Sequence, residues 1–354
     1  MPTHTVTSPG AYALEVLEVI AETPDAVSIV FAAPQEFRAE FAYKPGQFLT
    51  LRVPAHPDAD ALSRCYSLSS APGIDEHLKV TVKRTAGGRA SNWLCDNARA
   101  GMVLESLRPA GTFTMRDSVS TLVFVAAGSG ITPIMSMIRT VLSNSAQDAV
   151  LVYANRDRDS VIFDAELAAL QAAHENRLTV AHWIEAEAGL PTADGLRALL
   201  PDPGIDASAY LCGPTAFMEV ATDALGGIGL ARENIHREVF VSLTTDAFAA
   251  APPPLAAAPA DLDAVTAAVE IDGETHQICW PKSQILLDVL LGLGVDAPYV
   301  CREGNCGGCS YTLREGEVTM RVNDVLDDHE IRHGARLACQ SLPQSDQITI
   351  SFNR

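Results

Sequence analysis

The sequence predicts a multi-domain chain: an antiparallel β-barrel, then a doubly wound α/β domain, then a small cysteine-bearing domain behind a spacer. Three observations carry this. Short alternating segments punctuated by Pro and Gly run to about residue 115, and longer apolar runs separated by helical stretches follow from residue 121. Residues 246–264 then read DAFAAAPPPLAAAPADLDA, an Ala/Pro run with almost nothing to bury, which suits a semi-rigid linker. At 354 residues, with 47% hydrophobic and 19% charged side chains, the chain is long and apolar enough for two or three cores. The expected spans are 11–116, 117–245, the linker 246–264, and 265–354.

In the first span the extended segments are 13–20, 28–32, 47–53, 65–69 and 78–84, whose alternation fits a barrel or sandwich. In the second, 121–127, 149–154, 178–184 and 209–212 are the unbroken apolar runs of parallel strands covered on both faces. Stretches 134–143, 165–174 and 215–225 have the helical period between them. The most apolar window, 121–138, contains Gly128, Gly130 and Pro133, so it reads as strand, turn and helix and not as a membrane span. The start, MPTHTVTSPG, lacks the features of a signal peptide, so a cytoplasmic, reducing setting is expected, in which structural disulfides are rare.

Acidic residues number 44 against 25 basic, a formal charge of −19, which argues against a sequence-independent grip on nucleic acid or anionic lipid. Residues 261–354 hold 15 acids and 7 bases, −8 of that total. The stretch 324–330 is acidic and reads as a solvated loop or a docking face.

The eight cysteines are not scattered evenly. Cys301, Cys306 and Cys309 form C-x4-C-x2-C, and Cys339 follows after 29 further residues. That is the plant-type spacing of a 2Fe–2S cluster: three thiolates from one loop and a fourth from a distant segment. Gly304, Gly307 and Gly308 let the loop curl and turn N–H groups toward the sulfurs. Zinc is the alternative, but structural zinc usually takes two close ligand pairs. Cys65, Cys95, Cys212 and Cys279 lack ligand spacing and read as small buried hydrophobes, Cys212 standing apart because of its neighbours.

Two glycine-bearing strand ends point to a nucleotide. Gly128-Ser129-Gly130-Ile131-Thr132-Pro133 ends the 121–127 run and opens a helix, an arrangement that admits a pyrophosphate or, alone, serves as a tight packing turn. Cys212-Gly213-Pro214 ends another strand and faces the same crevice if the sheet is parallel. Arg64-Cys65-Tyr66-Ser67 in the barrel offers a guanidinium for a pyrophosphate, an aromatic face for a flat ring, and a hydroxyl for a ring nitrogen, though an ordinary strand also fits. Gly87-Gly88-Arg89-Ala90-Ser91 opens a further helix, a second place for a phosphate.

In this order, RCYS, VKR at 82–84, GGRASNWL, GSGITP, YLCGP, EVF and the cysteine set resemble the ferredoxin–NADP reductase superfamily, in members fused to a C-terminal plant-type ferredoxin domain. GQFLTLRVP, SNWLCDNA, YANRDRDSVIF and CREGNCGGCSYTLREGEVTM are similar to the 3-ketosteroid 9α-hydroxylase reductase family, whose partner is a Rieske non-haem iron oxygenase. The resemblance implies a β-grasp fold for the last domain, FAD in place of FMN, and a monomer. It implies that Arg64, Tyr66 and Ser67 hold the flavin pyrophosphate, ring and N5 edge. Val82 and Lys83, with the backbone of Gly88, Ala90 and Ser91, would hold its phosphate side. Gly128, Gly130 and Thr132 would line the pyridine nucleotide, with Cys212, Gly213 and Pro214 bordering its nicotinamide. Glu238 and Phe240 would return to the flavin edge. Ser67, Thr132 and Cys212 are thereby the residues nearest the chemistry.

Beyond the second α/β strand, Asn155 and Arg156 open the segment that would meet the nucleotide ribose. There Asp157 or Asp159 suits a ribose hydroxyl, whereas Arg156 or Arg158 suits a 2′-phosphate; the resemblance tips the reading to NADH. A flavin takes a hydride and gives electrons singly to a cluster, so the expected order is NADH, FAD, 2Fe–2S, then an external acceptor. No His/His/carboxylate constellation for dioxygen is legible, so oxidation falls to a separate protein. Rival acceptors are a di-iron epoxidase, a haem monooxygenase or a hybrid-cluster protein; the non-enzymatic rival is a cluster-bearing redox sensor.

Overall fold

Alternating apolar residues put one face of each N-terminal strand into a core. The strands are β1 (Tyr12–Thr23), β2 (Ala26–Ala32), β3 (Phe48–Val53), β4 (Leu62–Ser67), β5 (Leu78–Lys83) and β6 (Val103–Ser106). They form a six-stranded antiparallel sheet in the order β4-β3-β6-β1-β2-β5. A bridge between Leu68 and Val80 joins the two edges, so the sheet closes into a barrel and leaves no long open edge. Leu14, Val16, Ile29, Phe31, Leu49, Leu51 and Val80 fill it, and Leu94 of α1 (Arg89–Asn97) packs against them. The structure is a computed structural model describing residues 10–54, 61–115, 120–200, 206–249 and 263–352.

The apolar runs of the second region become β7 (Thr121–Ala127), β8 (Asp148–Asn155), β9 (Leu178–Ile184), β10 (Ala207–Cys212) and β11 (Ile235–Glu238). All pair in parallel, in the order β11-β10-β7-β8-β9. One sheet face is covered by α2 (Ile131–Asn144) and α3 (Asp164–Ala173). A one-turn α4 (Glu185–Ala188) follows β9, and α5 (Ala193–Leu199) and α6 (Thr215–Gly227) cover the other face. Helix α2 starts three residues before the periodic stretch, because Pro133 sits in its first turn, where a missing N–H costs nothing. The strand order reverses between β7 and β10, and the crevice outside their carboxyl ends is the place where such sheets take ligands.

The barrel and the α/β region form one compact unit, Tyr12–Pro109 with Phe113–Ser242. Ala110–Thr112 and the chain from Leu243 form a second. In the second unit, β12 (Ala264–Ile271) and β13 (Glu274–Pro281) make a hairpin through Asp272 (φ 49°) and Gly273 (φ 81°). Asp-Gly supplies the two positive φ values that a two-residue hairpin turn requires. Helix α7 (Leu286–Gly292), β14 (Ser310–Glu315), β15 (Val318–Met320), α8 (Asp328–Arg332), β16 (Ala335–Leu337), β17 (Ser341–Pro343) and β18 (Gln347–Phe352) complete it. The sheet runs β13-β12-β18-β14-β16, with β12 and β18 parallel and α7 packed on it around Trp280, the β-grasp arrangement.

The structure departs from the expected linker at its ends. Ala247 and Phe248 are each 3% exposed, and the Phe248 N–H donates to Asp246 Oδ1 at 3.0 Å. Phe248 is the one large aromatic side chain of the run, and its burial is worth about 1.5–3 kcal/mol. Ala264 already belongs to β12, and residues 250–262 lie outside the described residues. No described helix is long and apolar enough to cross a membrane.

Candidate functional site

At the reversal point the two strand ends touch. A Cβ added to Gly130 would overlap the carbonyl of Cys212 and come within 2.9 Å of the Gly213 nitrogen. Gly213 in turn leaves 3.0 Å to the Ala127 Cβ. Bare backbone lets the two strand ends approach this closely at the start of α2, which no side chain caps. Gly128 has φ 53°, the left-handed region glycine enters without strain. Thr132, 2% exposed, donates from Oγ1 to the Ser129 carbonyl at 3.0 Å and fixes the turn. The turn is also held from below by Tyr153, whose hydroxyl donates to the Gly128 carbonyl (3.0 Å) and accepts from Ile162 N (3.3 Å). A single tyrosine in an apolar strand carries no local signal of this role.

Cys212 is fully buried, and burial, with the Glu238 carboxylate beside it, holds its thiol well above the ordinary range. Burial also pushes Glu238, its register partner on β11, up to about 8. The Cys212 thiol is therefore protonated near pH 7. The next residues, Val239, Phe240 and Val241, are exposed apolar side chains, with Phe240 at 49%. At the end of β8, Asn155 is 6% exposed, a buried amide beside the Tyr153 hydroxyl. Just beyond it the arginines are engaged. Arg156 Nε pairs with Asp157 at 2.7 Å, and Arg158 makes a two-pronged pair with Glu187 at 2.8 and 3.0 Å. Asp157 also caps the 3-10 turn Arg158–Ser160.

On the barrel, the pleat of β4 puts Arg64 and Tyr66 on one face and Ser67, 4% exposed, on the other at the strand's end. Burial raises the Tyr66 phenol, which stays neutral. Lys83 reaches the other domain's glycine turn: its Nζ lies 3.8 Å from where a Cβ on Gly128 would stand, and 3.8 Å from Asp25 Oδ2. Gly88 caps α1 without a side-chain bond, and the Ser91 hydroxyl accepts from Thr85 N at 3.2 Å, leaving the helix start shaped by backbone. Val82 lies beside Lys83 on β5. Its side chain is 1% exposed in the barrel core.

In the second unit the four cysteines come together. Backbone N–H groups point at their sulfurs: Glu303 N to Cys301 at 3.3 Å, Cys301 N and Gly308 N to Cys306 at 3.4 Å each, and Cys339 N to Cys309 at 3.4 Å. The Gln340 amide donates to Cys339 at 3.5 Å. Donors converging on sulfur are the environment an anionic cluster needs. Accepting hydrogen bonds from the Cys306 and Cys339 thiols pulls Cys301 far down, while Cys306 and Cys339 are pushed up. Among the described residues no three His, Cys, Asp or Glu side chains surround a single metal ion. A two-iron cluster takes two thiolates per iron and needs no such triple. Gly304 (φ 86°) and Gly307 (φ 68°) allow the loop its curl, and a Cβ at Gly307 would meet Thr112 Cγ2 at 2.8 Å. Glu303 carries no sequence signal yet ties the chain entering this unit to the cysteine loop. It accepts from Thr244 N, Thr244 Oγ1 and Thr245 N at 3.1, 2.6 and 2.8 Å.

Comparison with known proteins agrees with this layout. Residues 13–115 match the family model of the oxidoreductase FAD-binding domain, 124–223 the oxidoreductase NAD-binding domain, and 269–344 the 2Fe-2S iron-sulfur cluster binding domain. The chain is 48% identical over 339 residues, 96% of either chain, to the 3-ketosteroid-9-alpha-monooxygenase ferredoxin reductase component of Rhodococcus rhodochrous. It is 32% identical over 359 residues, 97% of this chain and 98% of the other, to a component of the 1,2-phenylacetyl-CoA epoxidase of Escherichia coli K12. The solved phthalate dioxygenase reductase superposes with a TM-score of 0.57 over 97% of this chain and 98% of its own at 23% identity, a likeness of fold.

Proposed function

This chain belongs to the family of monooxygenase ferredoxin-reductase components that join FAD-binding, NAD-binding and 2Fe–2S domains, and on that premise we propose that it delivers electrons from NADH to a Rieske-type oxygenase acting on a 3-ketosteroid. The observation that carries the reading is the 48% identity across 96% of the chain, with all four cysteines in place. When bound, the flavin accepts two electrons from NADH and releases them singly to the cluster, which passes them on. The chain's own task is positioning. Arg64, Tyr66 and Ser67 hold the flavin, Lys83 and the backbone of Gly88, Ala90 and Ser91 its phosphates, and Glu238 and Phe240 close its edge. Gly128, Gly130, Thr132 and the Cys212-Gly213-Pro214 end receive the nucleotide, with Asn155 and Arg156 at its ribose. Cys301, Cys306, Cys309 and Cys339 ligate the irons.

The nucleotide is NADH because both nearby arginines are already paired with carboxylates, and a 2′-phosphate would meet Asp157 and Glu187. The expected preference is at least tenfold in kcat/KM, about 1.4 kcal/mol. Glu187→Ala frees the Arg158 fork and narrows it. Steady-state kinetics with NADH and NADPH check both, and a wild-type preference for NADPH would reverse the assignment.

The oxygenase partner is supported by the acidity of residues 261–354, −8 in net charge, since complementary charge speeds the encounter of transient carriers. Rising ionic strength slows oxygenase-coupled turnover far more than reduction of a small neutral acceptor. A coupled rate that ignores salt removes the electrostatic part of the reading. The 32% likeness to the epoxidase component keeps a di-iron acceptor as the second reading. Reconstitution decides between them: steroid hydroxylation with a Rieske oxygenase supports the first, and coupling to a di-iron partner alone supports the second.

A further inference from the structure

Within the first unit, barrel and α/β domain meet along a seam where four charged side chains alternate in sign. Arg139, on α2, forks onto Asp75 of the β4–β5 connection through Nη1 and Nη2, both at 2.7 Å. Its Nε lies 3.5 Å from Glu166 of α3, and Glu166 lies 3.7 Å from Lys79 of β5. Each domain thus gives one acid and one base to the other. The Arg139 side chain is 17% exposed and that of Lys79 15%, so these pairs are screened less than surface pairs. Asp75 is itself fixed, accepting from Ala71 N at 2.7 Å. The seam is tight beside this chain of ion pairs: a Cβ on Gly46 of the barrel would come within 2.5 Å of Met137 Cε, two residues before Arg139.

Helix α2 that carries Arg139 begins at the glycine turn, and the connection that carries Asp75 follows directly on the Arg64–Ser67 strand. This chain of ion pairs therefore clamps together the two elements that bear the nucleotide and flavin residues. We propose that Arg139 is a positioning residue for hydride transfer: through Asp75 and Glu166 it fixes the approach of the two halves without touching either cofactor. This rests on the NADH-to-FAD reading above. A two-pronged pair resists rotation as well as separation, and an error of about 1 Å in a reacting pair can cost a hundredfold in rate.

The test is stopped-flow reduction of the full-length holoprotein by saturating NADH, for wild type, Arg139→Gln, Arg139→Lys and Asp75→Asn, with amide hydrogen exchange on the same samples. Arg139→Gln and Asp75→Asn should lower the limiting rate of flavin reduction by about tenfold or more. Flavin content, cluster spectrum and half-saturating NADH should stay within about twofold. Arg139→Lys, which keeps the charge and loses the fork, should fall between. Exchange in residues 68–77 and in α2 should quicken in the slow variants. A limiting rate in Arg139→Gln close to wild type overturns the inference, as does a defect confined to NADH half-saturation or flavin content. A wild-type protein that NADH does not reduce overturns the functional reading itself, and is seen before any variant is made.

Discussion

Cys306→Ser leaves a protein that keeps its flavin and is still reduced by NADH, but shows no iron–sulfur absorbance and no paramagnetic signal after reduction. The cysteine loop explains the expectation. Cys306 receives two backbone N–H groups, from Cys301 and Gly308, and lies against the Cys301 sulfur, so it is built into the centre of the site. A serine oxygen is shorter, harder and far less acidic than a thiol, and iron–sulfur centres depend on thiolate. The residues proposed for flavin and nucleotide belong to the other compact unit, which has its own cores. Coupled oxygenase turnover should vanish, while direct flavin oxidation by a small acceptor persists. An undiminished reduced-cluster signal in the variant would remove Cys306 from the ligand set.

Gly130→Ala should cost as much at the other end of the pathway. The added methyl overlaps the Cys212 carbonyl and crowds the Gly213 nitrogen, and both obstacles are backbone. The β7 and β10 ends must part, at about 1–3 kcal/mol for overpacking in a closed site. A displacement near 1 Å lowers flavin reduction by NADH about a hundredfold. Gly226→Ala is the control. Gly226 lies in α6 with nothing within 4 Å of the added carbon, so stability should rise by about 0.5–1 kcal/mol and the rate should not change. Thermal unfolding and stopped-flow reduction read the two effects separately. Equal rates in Gly130→Ala and wild type would show that this strand end is not part of the nucleotide site.

Much of the fold is legible in the sequence because its signals are local. The runs at 121–127 and 178–184 are β7 and β9 to the residue, since unbroken apolar stretches with turns at both ends leave little else to form. Strands β6 and β11 escape such reading: VLES and IHRE are four residues each and too polar for a period to register. The cysteines are legible because three of them share one short loop at ligand spacing and the fourth follows after 29 further residues, the plant-type pattern. Arg139, Asp75, Glu166 and Lys79 are not, because they lie on four elements that only the tertiary fold brings together. The same holds for Tyr153 beneath the glycine turn and for Glu303 on Thr244. A motif match also does not say which way a strand residue points, and the pleat of β5 turns the Val82 side chain into the core.

An ordered path from NADH through flavin to the cluster within one chain has a direct kinetic signature. Anaerobic stopped-flow mixing of the holoprotein with one equivalent of NADH, followed across the flavin and cluster absorbance bands, reads it. Flavin bleaching should come first and cluster bleaching should follow, with the second phase absent in Cys306→Ser. Cluster bleaching that precedes the flavin, or that proceeds in protein stripped of flavin, would contradict the ordered path.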